Sequence, residues 1–480
     1  MNIKVCGLWS VVCGLFLTGC VDAPPPPSLN EAWVPPAEAR HNTDTWKDTR
    51  ARQPDLSKPL VLLDITNLAL QNNPATAKAW NDARAASEQI RFTEGYFMPS
   101  VTAVVGANRL VTSAHPASFD ANSMTYGPGL QLNYLVCNFG GGRRAAVEQA
   151  LQTVYAANFL FNRAIQDTLL TAQLAYYGSI SAQAALDAAV TNIADATATL
   201  DAAKARRDAG VGTDLEVLQA QAQYDQAVFQ RTDAEGQKAT ARGTLAAAMN
   251  LPADTALTLV APEAPLPTTL GGQDVKHLTD EALARRPDLA ALRASLTASE
   301  ASIRVAKAGR WPSLYLNGTA TRDYYELYGQ SNRATASDDW NYTGGVSLNW
   351  NLFNGYQTLS QTRTAEARAD AARAQLRGAE LAAATDIWIR FQEYETALRK
   401  YEAGQSALLT AVAAQQSALD SYKAGVKGIL DLINAENLTA QTRARQAVLR
   451  QDIFASLAQL AHAMGTIEKG EIQNPESRIQ

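Results

Sequence analysis

Ala209-Gly210-Val211-Gly212-Thr213-Asp214-Leu215-Glu216-Val217-Leu218-Gln219-Ala220-Gln221 and Ala424-Gly425-Val426-Lys427-Gly428-Ile429-Leu430-Asp431-Leu432-Ile433-Asn434-Ala435-Glu436 are two versions of one turn. Each stands inside a long stretch without proline, between Pro128 and Pro252 and between Pro312 and Pro475. A glycine in such a place lets one helix end in a left-handed cap before the next begins on a leucine-rich turn. Residues 208–216 and 423–431 are therefore expected to be the tips of two helical hairpins.

The correspondence continues away from the tips. Met464 follows Met249 by the same 215 residues that separate Gly425 from Gly210, while Ala69-Leu70 and Ala282-Leu283, like Pro99-Ser100 and Pro312-Ser313, lie 213 apart. So long a period fits two halves of one architecture rather than a solenoid. The halves are placed at 61–250 and 276–465, joined by a proline-rich linker at 251–275 and followed by a polar tail at 466–480.

Within each half the hydrophobic period changes once. An alanine-rich helical pattern from Ile65 to about Gly95 precedes strand-like runs at 101–112 and 125–137, where Leu130, Leu132, Tyr134 and Val136 alternate with polar residues. The second half repeats the pair at 313–323 and 341–352. Runs of roughly 10 residues suit a tilted membrane-spanning strand, and they equally suit a soluble antiparallel sheet with one buried face. Four strands cannot close a barrel. Open edges in lipid would leave backbone groups unpaired, so the membrane reading requires several chains to contribute to one cylinder.

The hairpins are expected at 145–250 and 358–465, and an ascending helix from Ala145 to Arg207 would be ~95 Å long. Leu186, Val190, Ile193, Thr197 and Leu200, and likewise Leu408, Val412, Gln415, Leu419 and Tyr422, step by four and three and define an expected coiled-coil seam. On the descending helix Leu449, Ile453, Leu457, Leu460 and Met464 share a face. The abundance of alanine implies close helix approach.

A net charge of -5 and a pI near 5.6 disfavour nucleic acid as a partner. After Met1-Asn2-Ile3-Lys4 an apolar run from Val5 to Leu17 has the length of a secretory signal core and is too short to span a bilayer. It leads into Leu17-Thr18-Gly19-Cys20, which resembles the lipobox of bacterial lipoproteins and implies a signal peptide at 1–19 and acylation of Cys20. Val21 after the cysteine implies release to the outer membrane. Residues 20–60, rich in proline, are expected to be an extended tether. Cys137 would be a lone thiol, and the four histidines form no metal-spaced pair. Gly140-Gly141-Gly142-Arg143-Arg144 lacks the ending of a phosphate loop and reads as a strand-to-helix bend, its arginines facing lipid head groups. No motif of catalysis is present, so no enzyme, cofactor or metal is expected.

Lipobox, duplicated unit, strand pairs feeding long hairpins and Gly-Val tips together resemble the TolC family of outer-membrane efflux proteins, in its lipoprotein branch typified by OprM and NodT. The junctions Trp350-Asn351-Leu352-Phe353-Asn354-Gly355 and Tyr134-Leu135-Val136-Cys137-Asn138-Phe139-Gly140 carry the most specific likeness to the family's Trp-x-Leu-Phe-Asp-x-Gly, with Asn in place of Asp in both. The resemblance implies a mostly α protein with a transmembrane β part: a homotrimer whose 12-stranded β-barrel continues into a 12-helix periplasmic α-barrel. Such a duct is passive, and a periplasmic adaptor and an inner-membrane pump are its implied partners.

Glu216 and Asp431 each lie six residues after a tip glycine, where the family carries an acidic gate ring. Asn434 stands where some members have a second acid. Lys427 either pairs across the closed tip or is simply solvated. The carboxylates would also suit the first turn of any helix. Gly210, Val211, Gly425 and Val426 are the candidates for adaptor contact, against the alternative of plain helix caps. Two other readings remain, a lipid-anchored coiled-coil envelope scaffold with a soluble β cap and a type I protein-secretion exit duct.

Overall fold

The computed structural model describes residues 59–112, 121–261, 275–328 and 334–467. Cys20, the signal peptide, the tether up to residue 58, linker residues 262–274 and the tail beyond Ile467 lie outside the described residues.

The first half contains α1 (Leu62–Asn72), α2 (Pro74–Glu94), β1 (Ser100–Thr112), β2 (Ala121–Asn138), α3 (Gly142–Asp208) and α4 (Asp214–Ala248). The second contains α5 (Val275–Arg285), α6 (Pro287–Ala308), β3 (Ser313–Tyr328), β4 (Ala334–Asn349), α7 (Gln357–Lys423) and α8 (Ile429–Ala463). The pattern expected to be one helix from Ile65 is two. Asn73 is held extended by the proline that follows it, and its side chain accepts from Ala75 N at 2.7 Å, so one residue ends α1 and caps α2.

Both ascending helices have 67 residues and both descending ones 35, so each hairpin reaches ~100 Å from the sheet. Their turns close alike. Gly210 (φ 77°) donates to Arg207 O at 2.8 Å and Val211 N to Arg206 O at 3.0 Å; Gly425 (φ 75°) donates to Tyr422 O at 3.0 Å and Val426 N to Ser421 O at 2.9 Å. This Schellman pattern satisfies carbonyls that the helix end would leave open.

The seam differs from the expected one. Within the chain the fully buried heptad line is Ala189, Ala196 and Ala203 on α3, Ala220, Ala227 and Ala234 on α4, and Ala397, Ala411 and Ala418 on α7. Gly404 takes the missing step on α7. Of the residues expected at the seam, Leu200 and Tyr422 are buried in it, whereas Val190 and Val412 are exposed. Small side chains bring the helix axes together, and the bulkier residues are left on the flanks of the contact. On α8, Ile453 and Leu460 pack with Tyr394 and Ala397 of α7.

Near mid-length the rods meet the rest of the chain. Leu60, Ile65, Tyr176, Tyr177, Leu245, Met249 and Phe454 form the largest aromatic-aliphatic core. Leu60, expected in an unpacked tether, is buried there and pairs with the linker, its N–H donating to Thr258 O at 2.8 Å. The Tyr176 hydroxyl donates to Val260 O at 2.5 Å. Three polypeptide segments are thereby clasped to α3.

The four strands form one antiparallel sheet in the order β1-β2-β3-β4. They run 13, 18, 16 and 16 residues, longer than the runs expected, because pairing continues past the apolar band into polar sequence around Asp323, Glu326 and Asp338. At its other end β4 stops at Asn349, so Trp350, Asn351 and Leu352 belong to the junction. The register sorts the faces. Ala103, Leu130, Ala320 and Tyr342 are direct neighbours across one row, as are Val101, Leu132, Gly318 and Gly344; on the opposite face the rows read Thr102, Gln131, Thr319, Thr343 and Ser100, Asn133, Asn317, Gly345. Among the described residues nothing packs on the apolar face, where Val105 is 84% and Tyr342 73% exposed. Stacked Tyr126–Tyr324 and Trp340–Tyr342 pairs mark its far end. No described helix is long and apolar enough to cross a membrane.

Candidate gate at the hairpin tips

The junctions fix where the hairpins leave the sheet. Asn138 accepts from Gly140 N at 3.1 Å and reaches Ser313 at 3.4 Å; Asn354 receives Thr358 N at 3.4 Å and donates to its hydroxyl at 2.7 Å. The two asparagines thus close different turns. Gly355 and Tyr356 both take positive φ, 63° and 67°, and Trp350 Nε1 donates to Arg310 O at 3.1 Å. Tyr134 is half-buried beside Leu316 on the apolar face. A Cβ on Gly140 would lie 2.7 Å from Ala308 Cα, so the glycine run admits the end of α6. Arg143, expected at lipid head groups, is instead committed to the backbone: it donates to Tyr96 O (3.1 Å), Leu135 O (2.6 Å) and Val136 O (2.8 Å) and lies over the Phe97 ring. The Leu135 and Val136 carbonyls lie at the bulge in β2 between Leu135 and Cys137.

At the other end the two tips are tied together. Arg206, near the end of α3, donates to Tyr422 O at 2.9 Å and to Val211 O at 3.2 Å, and its guanidinium lies 4.8 Å over the Tyr422 ring. The Tyr422 hydroxyl donates to Glu216 Oε2 at 2.8 Å, and Arg206 Nε stands 3.9 Å from the same oxygen. Burial, with the Glu216 carboxylate beside it, pushes the Tyr422 phenol up to about 12, which keeps it a donor at any physiological pH. Leu200, Ala203, Ala220, Ala418, Ile429 and Leu432 pack around it.

Sequence reasoning placed Glu216 and Asp431 in equivalent roles; within one chain their surroundings differ. Glu216 is half-buried in this cluster; Asp431, Asn434 and Lys427 are exposed and have no side-chain partner among the described residues. The helix start Thr213-Asp214-Leu215-Glu216 has the spelling of a capping box, yet only Thr213 caps, accepting from Glu216 N at 3.2 Å. The carboxylate has been taken by Tyr422. Arg206 was missed, and Tyr422 was read only as a seam residue, because they are where the repeat fails: the residues 215 positions away are Ser421 and Arg207. A residue without a counterpart in the other half was the available signal.

Beyond the caps, Val211 and Val426 are 64% and 79% exposed, with Leu215 and Leu430 also outward. Gly210 and Gly425 are needed by their positive φ whether or not anything docks there.

A family profile described as outer membrane efflux protein matches residues 65–251 and 278–466, one segment for each half. Protein CyaE of Bordetella pertussis is 27% identical over 419 residues, covering 86% of this chain and 85% of that protein. The pyoverdine export outer membrane protein OpmQ of Pseudomonas putida is 26% identical over 472 residues, 94% of this chain and 95% of its own length. Among solved structures the outer-membrane channel OprN superposes with a TM-score of 0.74 at 23% identity, over 85% of this chain and 90% of that one. With the profile covering both halves and the fold shared over most of the chain, this chain belongs to the outer membrane efflux protein family.

Proposed function

We propose that three copies of the chain close their sheets edge to edge into a twelve-stranded outer-membrane barrel and their hairpins into a twelve-helix periplasmic tunnel. The assembly is the passive exit duct of a tripartite efflux system, receiving substrate from an inner-membrane pump through a periplasmic adaptor. The observation that carries this is the sheet. Among the described residues its apolar face has no cover and its edges β1 and β4 are unpaired, and its other face is polar. A soluble cap would have to bury the apolar face, whereas a barrel wall presents it to lipid.

In this reading the Arg206–Glu216–Tyr422 cluster is the latch that holds the tips closed, and the exposed Asp431 is the acid left to form a pore-lining ring. The exposed Val211 and Val426 are the adaptor's landing points. Acylated Cys20 tethers the duct but does not hold it in the membrane.

The test is single-channel conductance of the purified protein in planar bilayers, with its detergent-solubilised mass measured in parallel. A trimeric mass and a small conductance, raised by Arg206→Ser, support duct and latch together. A monomer without channel activity in either form refutes the duct. The Cys20→Ala protein is expected to remain in the outer-membrane fraction after alkaline extraction; its release would favour the scaffold.

A further inference from the structure

The two hairpins of one chain meet along α3 and α8, and a carboxyl group is sealed into that contact. Glu436 of α8 is only 6% exposed. The Thr199 hydroxyl of α3, itself 1% exposed, donates to Glu436 Oε1, while Oε2 is buried with no hydrogen-bond partner among the described residues. An ionised carboxylate here would leave a charged oxygen unpaired away from water, which is far costlier than a neutral acid whose proton sits on that oxygen. The nearby base offers no relief. Arg443 Nη1 is bonded to Asp195 at 2.9 Å and to Asn192, so the cation answers the acid one turn along α3.

The other surroundings are uncharged where they touch this stretch of α8. From α7 the Ala411 carbonyl accepts from Thr439 at 3.0 Å, and from α4 the Gln223 amide donates to Asn437 at 2.9 Å. In the other hairpin the equivalent of Glu436 is Gln221, which pairs with Asp225 on its own helix, so an acid is not required by the hairpin as such.

We propose that Glu436 is a proton-binding site built into the contact between the hairpins: protonated, it lets α3 and α8 pack; ionised, it loosens them and favours separation of the tips. The site takes its proton from solvent when the helices part and returns it the same way. This rests on the duct reading for its consequence, though not for the existence of the site.

The sign follows from the surroundings. Burial raises the group from 4.5 to about 7, the Asp195 charge adds to that, and the Thr199 hydrogen bond opposes it. Between those two values the packed contact holds a proton that the separated one has lost. Packing is therefore strongest in acid, weakens as pH rises through the window, and levels off above about 7. The limiting effect is about tenfold in the open-to-closed ratio per pH unit for each contact.

Two measurements on the full-length trimer test it. Infrared difference titration should show a carboxylic-acid carbonyl band that vanishes around neutral pH in the wild type and is missing in Glu436→Gln. Thr199→Val, which removes the bond favouring the ionised form, should move that midpoint upward. In bilayers, wild-type open probability should rise with pH across the window, by up to about tenfold per pH unit for each contact that loosens, while Glu436→Gln stays at the wild type's acid level throughout. No such band, or one unchanged in Glu436→Gln, overturns the proton site. A band with identical pH profiles of opening in both proteins overturns the coupling of this site to separation of the tips. A band in a protein that never conducts leaves the proton site standing and refutes the duct instead.

Discussion

At the scale of single residues, the proposed latch is one cluster that a change of a few atoms should weaken. Tyr422→Phe deletes only the hydroxyl that donates to Glu216, a hydrogen bond to a charged group that is partly solvated, so about 1 kcal/mol and roughly fivefold in open probability are expected. Arg206→Ser puts into the first hairpin what the repeat has in the second, and removes two bonds to carbonyls and the contact with the Tyr422 ring. Its effect should exceed that of Tyr422→Phe by about another tenfold, read as open probability in bilayers at fixed voltage. Asp431→Asn is expected to reduce cation selectivity while leaving open probability near the wild-type level, because Asp431 takes no part in the cluster. Equal effects of Glu216→Gln and Asp431→Asn on open probability would restore the symmetric ring that the sequence suggests and remove the latch.

At the scale of elements, the alanine heptads set helix spacing. Ala203 on α3 is fully buried, and Leu in its place adds volume where the backbones are closest, with an expected loss of about 1–3 kcal/mol. Leu409→Ala, on an outward position of α7, should change stability by less than about 0.5 kcal/mol. Thermal unfolding followed by circular dichroism separates the two, and similar melting points would refute the alanine seam. This seam also shows where reading the sequence stopped. The hairpins, their tips and the strand pairs were legible because period, glycine and proline mark them locally. The 4-3 stepping of Leu186, Val190 and Ile193 tracks the larger side chains. Alanine is apolar but too small to dominate a pattern, so the line that packs within one chain is hidden beside it. At the tips the same limit took another form. Position after a glycine located Glu216, whereas its partner Tyr422 comes from a segment 206 residues away, and only the fold brings them together.

At the scale of the whole molecule, everything turns on the two faces of the sheet. Val346 lies on the apolar face opposite Leu316, and Thr319 lies on the polar face opposite Gln131 and Thr343. If the sheet is one third of a barrel, arginine at Val346 is placed in hydrocarbon, at about 2–4 kcal/mol per copy near the midplane. Threefold repetition multiplies that penalty in each assembly. Arginine at Thr319 enters a water-filled lumen, where it should be tolerated and should lower cation conductance by the charge it adds. The comparison is made by counting heat-modifiable trimers in the outer-membrane fraction. Val346→Arg is expected to lose most of its trimer and Thr319→Arg to keep it. A soluble sheet packed against some other partner would also suffer from Val346→Arg, but in it Thr319→Arg could not alter conduction. The decisive result is therefore the second variant: trimers that assemble normally and conduct cations less well place the polar face around a pore.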